Sequence, residues 1–221
     1  MEMILLNDAR VLAVQLRESG EEMVSLAGLG ARLEVDWSRS QIASNSERFC
    51  YARRTVGQML VKAAQSLPQG LILYLKEAYR PYGRQIKSFE ESLDWFAERN
   101  PGLDADEIYR LTCQYVAPPQ VAGHPTGGAV DVTLMRDGHE LDMGCAFNEE
   151  PEAPRNLPYT ECPYVSEDAQ ANRKLLADAM SAAGFVNYPS EWWHWSYGDA
   201  YWGFVSHNPA CYTAQDETSL E

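Results

Sequence analysis

Positive charge is scarce in this 221-residue sequence: 18 Lys and Arg stand against 32 Asp and Glu, for a formal net charge of −14. Binding to a phosphate backbone or an anionic membrane needs clustered cations that release counterions, so neither nucleic acid nor membrane is an expected partner. Apolar runs of membrane-spanning length are also missing. Met1–Leu6 offers neither the cationic start nor the apolar stretch of an export signal. Paired cysteines are absent too: Cys50, Cys113, Cys145, Cys162 and Cys211 are odd in number and form no CxxC, which disfavours a disulfide framework and a thiolate metal site alike. A reducing, cytoplasmic location is therefore expected. Histidine is rare, with four in the chain, so the surroundings of each are informative.

What is present is the balance of a globular protein, with 45% hydrophobic and 23% charged residues. One domain over residues 1–221 is expected, with 1–34 and 207–221 only loosely assigned. No internal repeat is found. Ala31–Asp36 reads as a short strand before a Ser-rich connection. Phe49, Val56, Met59, Leu60 and Ala63 recur at helical spacing and predict a helix from Glu47 to about Ser66, stopped by Pro68 and Gly70. Leu71–Leu75 is a compact apolar run that suits a buried strand. It delivers Tyr79-Arg80-Pro81 to the strand end, and Pro81 keeps Arg80 out of the helical region. Helices are predicted over Arg84–Arg99, Asp104–Tyr115 and Ala169–Ala183, the last stopped by Gly184. The Pro-rich, acidic stretch Glu149–Pro163 reads as a long loop, and Phe185–Tyr188 and Trp193–Tyr197 as strands.

Two of the four histidines lie in the most unusual local sequences, Gly-His124-Pro-Thr-Gly and Glu191-Trp-Trp-His194-Trp. In Ala129–Leu134, alternation puts Ala129, Asp131 and Thr133 on one face and Val130, Val132 and Leu134 on the other, so Asp131 points away from the apolar side. A tight reversal at Pro125–Gly128, read as a hairpin, would bring Asp131 back beside His124. Two ligands from there and a third from elsewhere make the open arrangement a catalytic zinc needs, with the fourth position left for water. Glu191 and His194 are three apart, so the chain must bend if both reach one point. Glu191 would then stand back as a general base while His194 binds the metal. Trp192, Trp193 and Trp195 read mainly as core, with at least one walling the pocket.

The patterns H-x-x-G-x-A-x-D at His124–Asp131 and E-W-W-H at Glu191–His194 resemble the zinc D-alanyl-D-alanine dipeptidases of vancomycin resistance and cell-wall turnover. The resemblance runs over roughly Val35 to Val205 and includes Tyr79-Arg80-Pro81, Leu141–Gly144 and the helix ending in Gly184-Phe185. It implies an α+β fold around a central antiparallel sheet flanked by helices, shared with D,D-carboxypeptidases and hedgehog-type domains. It implies one zinc per chain held by His124, Asp131 and His194, with Glu191 as the catalytic base. Arg80 is implied to meet the charge on the scissile carbonyl oxygen. Asn148, Tyr79, Trp192 and Trp193 are the expected substrate contacts, and the expected partner is a small peptide such as D-Ala-D-Ala.

This chain departs from the family in having Glu77-Ala78 where Asp-Gly is usual, Ala122 in place of a serine, and Cys145-Ala-Phe-Asn148 in place of Thr-x-Phe-Asp. Neutral Asn148 lacks the carboxylate that would pair with a dipeptide ammonium, a role Glu149 or Glu150 could fill. Two other functions are weighed: a carboxypeptidase or endopeptidase on peptidoglycan stems, which would need export, and a zinc module without catalysis, which would need neither Glu191 nor Arg80.

Overall fold

A computed structural model describes residues 3–220. In chain order the elements are α1 (Ala9–Leu12), β1 (Met23–Ser25), β2 (Leu33–Val35), β3 (Tyr51–Arg53), α2 (Arg54–Ser66), β4 (Leu71–Glu77), α3 (Tyr82–Arg99) and α4 (Ala105–Tyr115). There follow β5 (Ala129–Arg136), β6 (His139–Glu140), α5 (Glu167–Ala183), β7 (Val186–Asn187), β8 (His194–Ser196) and α6 (Ala200–Ser206). The fold is α+β. Its main sheet has the order β2-β4-β5-β8-β7, with β6 paired to the far end of β5.

The central strands β4, β5, β8 and β7 pair antiparallel, as expected from the sequence, and β2 joins β4 in parallel at one edge. The chain between them passes through β3 and α2, long enough for the crossover a parallel pair requires. The helix expected from Glu47 starts at Arg54 instead, because Tyr51–Arg53 pair with β1 in a separate two-stranded ribbon.

One face of the sheet builds the core. Leu71, Leu73 and Leu75 of β4 and Val130, Val132 and Leu134 of β5 are fully buried in one apolar cluster with residues of α2 and α5. Each such side chain contributes roughly 1.5–3 kcal/mol by leaving water. Helix α5 is held at both ends, by the Ser166 hydroxyl accepting from the Ala169 N–H and by Gly184 in the left-handed region at φ +110°. The alternation read along β5 holds, but its other face is not solvated: Asp131 and Thr133 are as buried as the valines. That face is a polar layer covered by α3 and the loops around it.

The segment before β5 is not a strand. Both edges of β5 are occupied, by β4 and β8, so no partner edge remains for a hairpin. His124–Thr126 instead forms a single 3-10 turn closed by Gly127 at φ +71°. A Cβ on Gly127 would also come within 2.1 Å of the Met23 sulfur, so only glycine fits there.

Arg53, 1% exposed, ties this turn to both ends of the chain. Its Nε donates to the Thr126 carbonyl at 2.8 Å, and its guanidinium forms a two-bonded pair with Glu18 at 2.8 and 2.9 Å. Glu18 also accepts from the backbone N–H and hydroxyl of Thr213, fastening the C-terminal segment. Burial alone would raise the Glu18 carboxyl, but the hydrogen bonds from Thr213, Arg53 and Gly20 outweigh it and hold it at about 2.

Because that pKa lies below the ordinary 4.5, the Glu18 contribution is complete above pH 4.5 and is lost as pH falls toward 2. Glu18→Gln should therefore flatten the pH dependence of stability between about 4.5 and 2. Urea unfolding of the two proteins across that window checks it; parallel curves would remove Glu18 from the acid response.

Candidate metal centre

Sheet register places the central side chains. Asp131 of β5 lies directly opposite His194 of β8 on one side and Glu77 of β4 on the other, so the three side chains form one row on the polar face. Glu77 reaches that row only through an irregularity. The pairing steps from Leu75↔Val132 to Glu77↔Asp131, with Lys76 as the extra residue. Strict alternation would have turned Glu77 to the core face with Leu75; the bulge turns it back.

His124 enters from the 3-10 turn above the row. Its Nδ1 is 2.6 Å from the Ala78 carbonyl oxygen, so Nδ1 carries the proton and Nε2 presents its lone pair inward. His124 Nε2 is 3.4 Å from Asp131 Oδ2, and His194 Nδ1 is 3.0 Å from Asp131 Oδ1. One donor atom from each of the three residues lies within 4.8 Å of the others. Two imidazole nitrogens and a carboxylate oxygen converging from one side suit a zinc ion with an open position.

The bend inferred at Glu191–His194 is present. The Glu191 N–H donates to the Tyr188 carbonyl at 2.9 Å and the His194 N–H to the Glu191 carbonyl at 3.3 Å, which reverses the chain before β8 begins. Glu191 Oε2 thereby stands 3.8 Å from His194 Nδ1, beside the three donors. Burial raises the Glu191 carboxyl to about 7; the charges of His194 and Arg80 work against that rise, and Asp131 works with it. A bound dication would add its own pull toward the carboxylate form. Burial would also raise Asp131, but the two histidines outweigh it and hold it well below the usual range.

Arg80 follows the end of β4 in the non-helical stretch before α3. It is nearly buried and clamped on two sides. Its Nε donates to Glu77 Oε1 at 2.7 Å and one Nη to Gln85 Oε1 at 2.8 Å. The other Glu77 oxygen accepts from the Ala43 N–H, while the Gln85 amide donates to the Ala117 carbonyl. The guanidinium is thus fixed in position and plane, with its remaining N–H groups available to the cavity. Sequence reasoning missed both clamps: Glu77 stood only as a departure from a family pattern, and Gln85 carries no local signal.

His124, Asp131, His194, Glu191, Arg80, Asn148 and Trp193 all line one cavity of about 340 Å³. Asn148 is fixed at its rim, at φ +57° with its amide donating to the Gln41 carbonyl. Tyr79 is not in this lining: its ring is buried and its hydroxyl donates to the Gln215 carbonyl, toward the C-terminal segment. Trp192 also turns away, donating to Cys145 Sγ beside a separate depression. The positions of Tyr79 and Trp192 therefore correct the expectation of substrate contact, because neighbouring residues on an extended or turning chain face opposite ways. All three tryptophans of the motif belong to the apolar core.

A family model described as D-Ala-D-Ala dipeptidase matches residues 38–214. A D-alanyl-D-alanine dipeptidase of Synechocystis sp. is 28% identical over 87% of this chain and 88% of its own. One from Escherichia coli is 38% identical over 57% of this chain and 54% of its own. A solved vancomycin-resistance D,D-pentapeptidase in complex with Zn(II) is 16% identical over 76% of this chain and 84% of its own, with a TM-score of 0.42, too loose a likeness to place side chains.

The clamp on Arg80 predicts a stability effect independent of any activity. Glu77→Gln keeps the shape and leaves a nearly buried guanidinium without its counter-charge, which typically costs about 3–5 kcal/mol. Denaturant unfolding of the metal-free proteins measures it, and a loss below about 1 kcal/mol would show that Arg80 is satisfied by other means.

Proposed function

The chain belongs to the D-Ala-D-Ala dipeptidase family, and from that membership and the geometry of the centre we propose that it is a zinc metallopeptidase hydrolysing D-Ala-D-Ala to two D-alanines. The observation that carries this reading is the convergence of His124, Asp131 and His194 on one point, with a protonatable carboxylate, Glu191, 3.8 Å from His194. His124, Asp131 and His194 would hold the zinc, which when bound polarises the scissile carbonyl and makes water a better nucleophile.

The remaining roles belong to the chain's own groups. Glu191, 3.8 Å from His194 and beside the donors, takes the proton of the attacking water and returns it to the leaving nitrogen. Arg80 donates to the carbonyl oxygen as charge gathers there. Its clamps mean that little reorganisation is needed at that moment. Ala78 orients His124 through its carbonyl. Trp193 and the loop carrying Asn148 close the cavity around a small peptide.

A zinc-binding module without catalysis would need no carboxyl such as Glu191 beside the donors and no clamped arginine in the same cavity. The five cysteines are free, which supports a reducing compartment and a cytoplasmic role in the turnover of D-Ala-D-Ala, the dipeptide of cell-wall metabolism. No helix among the described residues is long and apolar enough to cross a membrane. Packing of Leu6 and Val11 near the amino terminus against Tyr188 and Tyr201 supports treating residues 1–221 as one unit.

Release of D-alanine from D-Ala-D-Ala is the direct test. Activity should vanish on exhaustive chelation and return with one equivalent of zinc, and a protein fully active after chelation would refute the reading. Arg80→Lys keeps the charge but loses the planar fork, so turnover should fall about 10²- to 10³-fold with a smaller change in KM. An unchanged kcat with a raised KM only for substrates bearing a free C-terminus would move Arg80 to carboxylate recognition.

A further inference from the structure

The C-terminal segment meets the surroundings of the metal centre at one residue, Gln215. Its backbone N–H donates to the Pro125 carbonyl at 2.8 Å, and its carbonyl accepts from the Tyr79 hydroxyl at 2.9 Å. Pro125 follows His124, and Tyr79 precedes Arg80. One residue near the end of the chain therefore holds the neighbour of a metal donor and the neighbour of the clamped arginine. The His124 turn needs such an outside partner. Within it, the Thr126 N–H donates to the Gly123 carbonyl at 2.9 Å and the Gly127 N–H to the His124 carbonyl at 3.2 Å. The Pro125 and Thr126 carbonyls are met from elsewhere, the first by Gln215 and the second by Arg53 Nε. Pro125 is buried, and a buried carbonyl stripped of its partner is destabilising.

These contacts close a ring. His124 Nδ1 donates to the Ala78 carbonyl at 2.6 Å, Ala78 is bonded to Tyr79, the Tyr79 hydroxyl reaches Gln215, and Gln215 reaches Pro125 beside His124. Tyr79 is fully buried, so close packing makes its ring a firm strut in that ring of contacts. The His124 turn and the strand end that carries Arg80 are thus joined twice, once through the imidazole and once through the backbone of Gln215. Two joints fix an orientation as well as a separation. Gln215 is itself anchored on both sides. Before it, the backbone N–H and hydroxyl of Thr213 donate to Glu18 at 2.9 and 2.7 Å. After it, the Glu217 carbonyl accepts from the Arg48 guanidinium at 3.3 Å, and the Glu217 carboxylate accepts from the Ser46 hydroxyl.

We propose that Gln215 is a positioning residue of the catalytic centre: through its backbone it fixes the His124 turn against the strand end that carries Arg80, which makes the C-terminal segment part of the site. This rests on the roles of His124 and Arg80 set out above and adds a residue that acts through both. The Gln215 side chain is engaged separately, donating to Glu18 at 3.2 Å and to the Thr213 carbonyl at 3.1 Å. Mutation can therefore divide the residue in two, because proline removes the backbone N–H and alanine keeps it.

Zinc affinity is measured by competition with a chromogenic chelator, and turnover on D-Ala-D-Ala. Gln215→Pro should bind zinc about 10- to 100-fold more weakly than the wild type, the range for losing a group that orients a ligand, while Gln215→Ala stays within about threefold. Tyr79→Phe removes only the other bond and should lower turnover about tenfold with KM nearly unchanged, because it loosens the strand end that carries Arg80. A folded Gln215→Pro protein with wild-type zinc affinity, or a Gln215→Ala protein as impaired as Gln215→Pro, overturns the proposal. If Gln215→Pro does not fold, Tyr79→Phe decides, and an unchanged turnover overturns it. Should the wild type hydrolyse no dipeptide, the peptidase reading fails instead, and amide hydrogen exchange at Thr126 and Gly127 in the metal-free proteins still decides. Faster exchange in Gln215→Pro than in Gln215→Ala supports the hold on the turn, and equal exchange overturns it.

Discussion

The Asp131 carboxylate, buried at 1% exposure in the middle of a six-stranded sheet, is the constraint on which the rest of the site depends. An isolated carboxylate in that place would cost far more than the fold could supply, so it must be met by positive charge. A dication held between Asp131 and the two imidazoles, 3.0 and 3.4 Å from it, would supply that charge. Everything nearby serves that arrangement. The β5–β8 register puts His194 opposite Asp131, the 3-10 turn locked by Gly127 drops His124 onto it, and Arg53 holds that turn to both chain ends.

A second polar layer extends the same logic. Glu77 is fully buried and answers Arg80, while Lys76, 4% exposed, answers Asp36 at 2.5 Å on the same sheet face. Buried pairs of this kind add little net stability over apolar residues of the same size. Here they fix directions instead. The guanidinium of Arg80 is held from two sides, by Glu77 and Gln85. The opposite, apolar face of the sheet, packed on α2 and α5, supplies the burial that offsets this polar layer.

Much of this was legible in the sequence. Helices α3, α4 and α5, strand β4 and the bend at Glu191–His194 followed from periodicity, capping residues and a spacing of three. What was not legible depended on long-range pairing. A strand's alternation cannot reveal that α3 and the loops around it cover the polar face, so Asp131 read as merely turned from the core. Nor can it reveal a bulge: with Lys76 counted as an ordinary strand residue, Glu77 belongs to the wrong face. The hairpin expected at Pro125–Gly128 failed because β4 and β8 already hold both edges of β5, and the helix expected from Glu47 lost its first turns to pairing with β1. The side-chain directions of Tyr79 and Trp192 depended equally on partners far away in the chain, Gln215 and Cys145.

The central claim is a division of labour between three residues that hold the metal and one beside them that does not. Metal content and turnover measured together on Asp131→Asn and Glu191→Gln test it most directly. The account predicts that Asp131→Asn loses most of its zinc, whereas Glu191→Gln keeps one zinc per chain while turnover falls by about 10²- to 10⁴-fold. A Glu191→Gln protein emptied of zinc, or an Asp131→Asn protein still fully loaded, would contradict it.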